Sequence, residues 1–197
     1  MTQIRPKLSA DERRLRLLDA ASRVFAEGSY RGTTTAEIAR AVGCSEPILY
    51  RHFPSKRQLY FACIEHAWAE LRARFEAVLA IEDPEEALAS LSHDIEDLVR
   101  GKHALSHFWA QALTESAEDP EIRRYVRRHL KDVHAFLSRL IRHGQQIGVL
   151  HPDRDAEVEA WVTIGTVTFG ALGERVGGLL GDVLPRMREQ RRAWMTP

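Results

Sequence analysis

Residues 34–59 read TTAEIARAVGCSEPILYRHFPSKRQL, and their punctuation decides the fold. Thr34 and Glu37 stand at the spacing of a capping box, in which each side chain bonds the other residue's free backbone N–H at a helix start. Ile38, Ala39 and Val42 then share one helical face, and Gly43 supplies the residue that most readily ends a helix. A second helix follows at once, with Ser45 as N-cap and Pro47 in the first turn, where a backbone N–H has no helical partner to lose. Ser55 and Gln58 repeat the box signal for a third helix. A tight helix, glycine turn and helix is the helix-turn-helix geometry, in which the first helix braces the second against a DNA major groove. Leu49 and Phe53, four apart, face back toward Ile38 and Val42, which leaves Glu46, Pro47, Tyr50 and Arg51 on the opposite side. The outward face is polar, aromatic and cationic.

Working outward, Ser9 and Glu12 form another capping-box pair, and the helix they open carries Leu15, Leu18, Ala21 and Phe25 on one face before stopping near Gly28. No alternating β-branched run competes with these helical periods, so the chain reads as all-α, with about nine helices. Its 197 residues, 44% hydrophobic and 28% charged, are enough for one large domain or two small ones. No apolar run reaches the ~18 to 20 residues of a membrane span, and residues 1–14 are too polar for a signal peptide. A soluble cytoplasmic protein is expected. Two cysteines, Cys44 and Cys63, lack zinc-ligand spacing and are too few for a disulfide framework. The net charge of zero hides an asymmetry: residues 1–60 hold 11 Lys+Arg against 6 Asp+Glu, leaving 17 against 22 in the remainder. A basic N-terminal module suits a polyanion partner or a solvated surface.

Beyond Lys56 the spacing predicts a fourth helix to about Ala80, carrying Leu59, Ile64, Leu71, Phe75 and Val78. Asp83-Pro84 and Asp119-Pro120 each place an N-cap before a proline, and a further helix is expected to start near His103. The long helix from Pro120 has an apolar stripe of Val126, Leu130, Val133, Leu137, Leu140 and Ile141 opposite an Arg-rich face, and is expected to end at Gly144 to Gly148. That Arg-rich face is either a nucleic-acid surface or a solvated one balanced by acids elsewhere. From Asp153 or Asp155 to Leu180 the chain is apolar round much of its circumference and holds Gly165, Gly170, Gly173 and Gly177. A helix apolar on two sides needs two partners, its own core and a second subunit. Trp161, Gly165, Phe169, Gly173, Val176 and Leu180 are therefore candidate dimer contacts, with a last helix over about Asp182 to Trp194 beside them.

The pattern Thr34-Thr35-x-x-Ile38-Ala39-x-x-x-Gly43-x-Ser45-x-Pro47-x-Leu49-Tyr50-x-His52-Phe53-x-Ser55-Lys56-x-x-Leu59 resembles the tetracycline-repressor (TetR) family of bacterial transcriptional regulators. The likeness covers about residues 9–65. It implies a homodimer that binds a palindromic operator through residues 9–56, and a divergent domain, residues 57–197, that dimerises and takes a small-molecule effector lowering operator affinity. By the same resemblance Thr35, Tyr50, His52 and Lys56 contact phosphate. Independently, helices opening at Thr34 and Ser55 present free N–H groups and a positive dipole end to anions. Base reading falls to Glu46, Pro47, Ile48 and Arg51 beside Ser45: Arg to guanine, Glu to the cytosine amino group, Pro and Ile to thymine methyls.

Several residues carry two readings. Glu46 either reads cytosine or simply complements a helix N-terminus, and Cys44, where the family usually has valine, is a small hydrophobe or a redox-sensing thiol. His52 lacks a nucleophile or carboxylate partner for catalysis, so a DNA contact is the better use. His103 and His107, four apart, either chelate a metal or edge a ligand pocket. That pocket is drawn from His107, Phe108, Gln111, Phe136, Leu140, Trp161 and Thr168, with Trp109, Leu113 and Phe169 as further apolar candidates; the alternative reading of these residues, and the more common use of such side chains, is ordinary core. With no metal cluster, phosphate-binding glycine loop or nucleophile motif, neither catalytic residues nor a cofactor is expected. A ligand-responsive regulator is the leading reading, over a constitutive DNA-binding protein and a small-molecule-binding protein that ignores DNA.

Overall fold

The helix starts lie where the capping residues stand. In the computed structural model, which describes residues 9–197, the order is α1 (Ala10–Glu27), α2 (Thr35–Val42), α3 (Glu46–His52), α4 (Lys56–Val78), α5 (Pro84–Val99), α6 (Ala104–Glu115), α7 (Pro120–Gln146), α8 (Ala156–Arg175) and α9 (Leu184–Met195). Among the described residues the fold is thus all-α, as the periodicity implied. The polar N-terminal segment, residues 1–8, on which part of the signal-peptide argument rested, lies outside the described residues. No helix among those described is long and apolar enough to cross a membrane.

Ser9 and Thr34 each complete a reciprocal capping box, with Glu12 and Glu37. Asp83, Asp119 and Asp155 each accept two backbone N–H groups at the heads of α5, α7 and α8. The box carboxylates of Glu12 and Glu37 are held below the usual range, chiefly by the backbone hydrogen bonds they accept from Ser9 and Thr34. Gly43 ends α2 at φ 76°, and the N–H groups of Gly43 and Cys44 reach back to the carbonyls of Arg40 and Ala39. This closes the orphan carbonyls of α2 and turns the chain into α3 within three residues.

The described residues divide into two packing units, one up to Ala69 and one from Glu70 to Pro197, with the division inside α4. In the first, Leu17, Leu18, Ala21 and Phe25 of α1 meet Ile38 and Ala39 of α2, Leu49 of α3, Phe53, and Leu59, Tyr60, Cys63 and Ile64 of α4 in one buried core. Phe25 packs edge-on to Tyr60 with ring centroids 5.1 Å apart. Leu15 corrects the expected stripe: it is 47% exposed, and Leu17 takes the inward place. The second unit is built on α8, which packs against α5, α6 and α7. Its inward side is Ala156, Ala160, Ile164, Val167, Gly170 and Ala171. Along α7, Val126, Val133, Leu137, Leu140 and Ile141 are buried as expected, while Leu130 is only half-buried.

The end of α8 is a second correction. Apolar composition carries on to Leu180, but the helix stops at Arg175 because Gly177 and Gly178 take φ values of 91° and 75°. The N–H groups of Gly178 and Leu179 fold back onto the Gly173 carbonyl. α9 is then held to α8 by a buried anion: Glu159 pairs with Arg191 and accepts the Trp194 indole N–H at 3.0 Å. The Arg154 guanidinium covers the Trp194 ring at 3.5 Å and donates to the Trp194 carbonyl.

Candidate nucleic-acid interface

The first unit fixes α3 by the buried Leu49 within it and the buried Phe53 just past its end, so that the exposed side chains of the helix are turned outward. Arg14 lies over the Phe53 ring at 4.5 Å and covers it from α1. Pro47, Ile48, Tyr50 and Arg51 are exposed, and Glu46 and His52 half-buried. Ser45 has N-cap backbone angles but makes no side-chain capping bond, which leaves its hydroxyl on the exposed surface.

Beside this face lies the start of α2. Thr34 caps the helix, and Thr35 directs its hydroxyl across to α3, 2.5 Å from Glu46 Oε1 and 3.2 Å from Tyr50 Oη. Lys56, from the start of α4, donates to the Thr33 carbonyl at 3.0 Å and lies 4.7 Å from the Tyr30 ring centroid. Its ammonium is therefore anchored next to the α2 N-terminus, where it adds to the positive dipole end. Ser55 accepts the Gln58 N–H at the head of α4. Thr34, Thr35, Tyr50 and Lys56 thus come together from three helices. Tyr30 and Thr33, which aim Lys56, were not singled out in the sequence, because their role rests on a contact 23 residues long.

Neither cysteine is an activated thiol. Burial pushes Cys44 up, and pushes the deeply buried Cys63 up to about 12, with its S–H directed at the Leu18 carbonyl.

In the second unit α8 presents an outward stripe of Val158, Trp161, Val162, Phe169, Leu172 and Val176, all exposed, at the spacing of one helical face. Trp161 is 45% exposed and stacks on His134 with ring centroids 4.5 Å apart, while Phe169 is 52% exposed. The glycines divide by direction. A Cβ on Gly165 would meet nothing within 4 Å, whereas one on Gly170 would lie 2.4 Å from Val99 Cγ1 and 2.7 Å from the Val99 carbonyl. Gly170 is where α8 crosses α5 at backbone distance. Gly173 is buried beneath Leu179 and Leu180, so these residues pack on their own unit.

Of the pocket candidates, Phe108, Gln111, Phe136 and Leu140 are buried within the second unit. His107 bonds the Gly101 carbonyl through Nε2 at 2.6 Å, and the Thr168 hydroxyl donates to the Ile164 carbonyl. Trp109 is buried too, while Leu113 lies at the surface. His103 is the N-cap of α6, its Nδ1 accepting the Leu105 N–H, so it does not share a helical face with His107 as the spacing suggested. Two members of a buried aromatic group, Tyr125 and His129, escaped sequence reading: the Trp109 indole donates to His129 Nε2 at 3.1 Å, and Tyr125 stacks on the same ring at 5.7 Å. Tyr125 and His129 do share a helical face with Val126 and Val133, but their polar character hid them from a search for apolar positions. On the Arg-rich side of α7, Arg123 donates to the Ser116 and Ala117 carbonyls, and Arg124, Arg127 and Arg128 are exposed.

A helical unit whose recognition helix turns polar, aromatic and cationic groups outward defines a helix-turn-helix DNA-binding protein. Known proteins carry that reading further. Residues 17–63 match the model for bacterial regulatory proteins of the tetR family, and residues 84–168 match the C-terminal model of BetI-type transcriptional repressors. The transcriptional regulator UidR of Escherichia coli K12 is 25% identical over 169 residues, covering 84% of this chain and 82% of that protein. The transcriptional activator FasR of Mycolicibacterium smegmatis is 48% identical over 59 residues, 30% of this chain and 27% of its own. A TetR-family regulator from Rhodococcus has the same fold, with a TM-score of 0.77 at 17% identity over 94% of this chain and all of that one. The chain belongs to the tetR family of DNA-binding transcriptional regulators. These relatives are regulators of transcription rather than enzymes.

Proposed function

We propose that this protein is a homodimeric repressor that binds a palindromic operator and is released from it by a small, largely apolar effector. The observation that carries the reading is the cluster at the head of α2, where Thr34, Thr35, Tyr50 and Lys56 surround a helix N-terminus beside the exposed Pro47, Ile48 and Arg51. Thr34, Thr35, Tyr50, His52 and Lys56 then hold phosphates, and Ser45, Glu46, Pro47, Ile48 and Arg51 face the bases. DNA reading ends with residue 56. Residues 57–197 join two copies and receive the effector, and the protein acts in the bacterial cytoplasm, where its operator is.

Dimerisation is supported by the outward stripe of α8, too large and continuous an apolar face for a solvated helix. We assign Trp161, Gly165, Phe169 and Val176 to the interface, joined by Val158, Val162 and Leu172. Gly173 and Leu180 support it from below, since they pack on each other. A two-fold axis through this face supplies the symmetry that a palindrome requires. Repression is supported by the repressor description of the matched C-terminal model. We assign the effector site to His107, Phe108, Gln111, Phe136, Leu140 and Thr168, a mainly apolar set with few polar groups, as small-molecule sites require. Trp161, on the outward stripe, is left to the interface.

The test is in vitro transcription from the promoter region beside the protein's own gene. Added protein lowers transcript yield, and an apolar compound selected by its rise in melting midpoint restores it. Increased transcription on adding protein would overturn repression, and a compound that binds without restoring transcription would overturn effector release.

A further inference from the structure

The hydrogen bonds around Thr35 fix the direction of the Thr35 and Tyr50 hydroxyl protons. A carboxylate accepts and cannot donate, so the 2.5 Å contact to Glu46 Oε1 uses the one proton of the Thr35 hydroxyl. That contact is short and charge-assisted. The 3.2 Å contact between Thr35 Oγ and Tyr50 Oη must then carry the tyrosine's proton. The order is Tyr50 O–H to Thr35 O–H to Glu46, with both donor protons directed inward at one anion. Phosphate oxygens need donors, and in this arrangement Thr35 and Tyr50 offer them only lone pairs. The two hydroxyls best placed for a DNA backbone are withheld from it by Glu46.

We propose that Glu46 is a specificity-determining latch, coupling base reading to backbone contact through Thr35 and Tyr50. Rotating the carboxylate away from Thr35 frees both hydroxyl protons, and the bond lost must be replaced by another donor. Within reach of a recognition helix in the major groove, the cytosine amino group is the base-edge donor that suits a carboxylate. Over a site with cytosine in that place, Glu46 exchanges the Thr35 hydroxyl for the cytosine N4–H, and Thr35 and Tyr50 turn their protons to phosphates. Over other sequences the latch stays shut, its negative charge faces the backbone, and both contacts are lost. Phosphate contacts, which ordinarily position without discriminating, become sequence-dependent. This inference rests on the reading that α3 enters the major groove.

The experiment begins with selection of duplexes from a randomised pool by the full-length wild-type protein. Affinities of wild type, Glu46→Ala, Glu46→Gln, Thr35→Val and the Thr35→Val/Glu46→Ala pair are then measured for the selected site, its single cytosine replacements and a scrambled duplex. Matching circular dichroism and melting midpoints confirm folding, and the near-isosteric Glu46→Gln serves if Glu46→Ala does not fold. Glu46→Ala is expected to bind the scrambled duplex roughly ten-fold tighter than wild type and to lose discrimination at one cytosine. Glu46→Gln is expected to move the preference there toward adenine. Thr35→Val alone weakens the selected site more than the scrambled one, and in the Glu46→Ala background it weakens both equally. Loss by the same factor on all duplexes for Glu46→Ala would show a structural role only. Uniform tightening with cytosine preference intact would show simple charge repulsion. Either overturns the latch, whereas failure of the wild type to enrich any duplex overturns the DNA reading itself.

Discussion

Two helices of this chain turn a face away from their own cores, and the two faces have opposite chemistry. α3 is seven residues long, fixed by Leu49 and Phe53, and shows Pro47, Tyr50 and Arg51 to solvent. α8 is 20 residues long, buried along one side, and shows Trp161, Phe169, Leu172 and Val176 on the other. A polyanion is recognised by donors and cations that stay hydrated until contact, so α3 needs little area. In the dimer proposed above, a second copy of the chain would be held by apolar area removed from water, which suits the longer α8. On the proposed reading the same backbone element serves both purposes, and the side chains left outside the core decide the partner.

The largest effect should come from placing a charge in the α8 stripe. Phe169→Asp leaves the core of its own unit intact, since the ring is exposed. Across a two-fold interface each copy loses about 2 to 4 kcal/mol, the scale of a central aromatic contact. Light scattering at micromolar concentration is expected to show a monomer, with operator affinity reduced at least as much. A variant that stays dimeric would move the interface elsewhere. At the head of α2 and on α3 the matched pair is Arg51→Ala and Lys56→Gln. The first is expected to relax preference at one base position by about 1 to 3 kcal/mol. The second should weaken all sequences alike and lower the salt slope by about one.

The α8 glycines sharpen the contrast at intermediate size. Gly170→Ala pushes a methyl group into Val99 and is expected to destabilise the fold by about 1 to 3 kcal/mol. Gly165→Ala meets open space in its own chain and should raise the monomer's stability by about 0.5 to 1 kcal/mol. If Gly165 lets two copies approach closely, the same substitution weakens dimerisation while raising the melting midpoint of a Phe169→Asp background.

The smallest effect is electrostatic. Burial holds His103 below its ordinary 6.5, against the opposing pull of Glu70, Asp94 and Asp97 and with the help of Arg74. The unfolded chain therefore binds the proton more readily, so His103 lowers stability as pH falls below about 6.5. His103→Asn, which keeps a capping side chain, is expected to flatten the melting midpoint between pH 6.5 and 5. An unchanged slope would place the titration on another group.

Much of this was legible because it is local. Thr34 with Glu37, Asp119 before Pro120 and Gly43 after Val42 act within four residues, and the structure uses each as the spacing implied. Leu15 misled because periodicity finds a face without saying where its edge falls; in the fold Leu17, Leu18, Ala21 and Phe25 are buried and Leu15 is exposed. The end of α8 misled because apolar composition continues past Arg175 while the backbone at Gly177 and Gly178 does not. Four glycines read as one device proved to be three: an open position, two sites of inward packing, and a terminator. At the nucleic-acid surface the outward set on α3 followed from Leu49 and Phe53. The bond from Thr35 to Glu46 spans 11 residues and two helices, and no periodicity encodes it.

The most direct test of the account is the stoichiometry and symmetry of the DNA complex. Duplexes selected from a randomised pool are sequenced, and the mass of the protein on the best of them is measured by analytical ultracentrifugation. The account predicts an inverted repeat with half-sites about one helical turn apart, or a multiple of that, holding copies of the protein in pairs. One copy bound to an asymmetric site would contradict it.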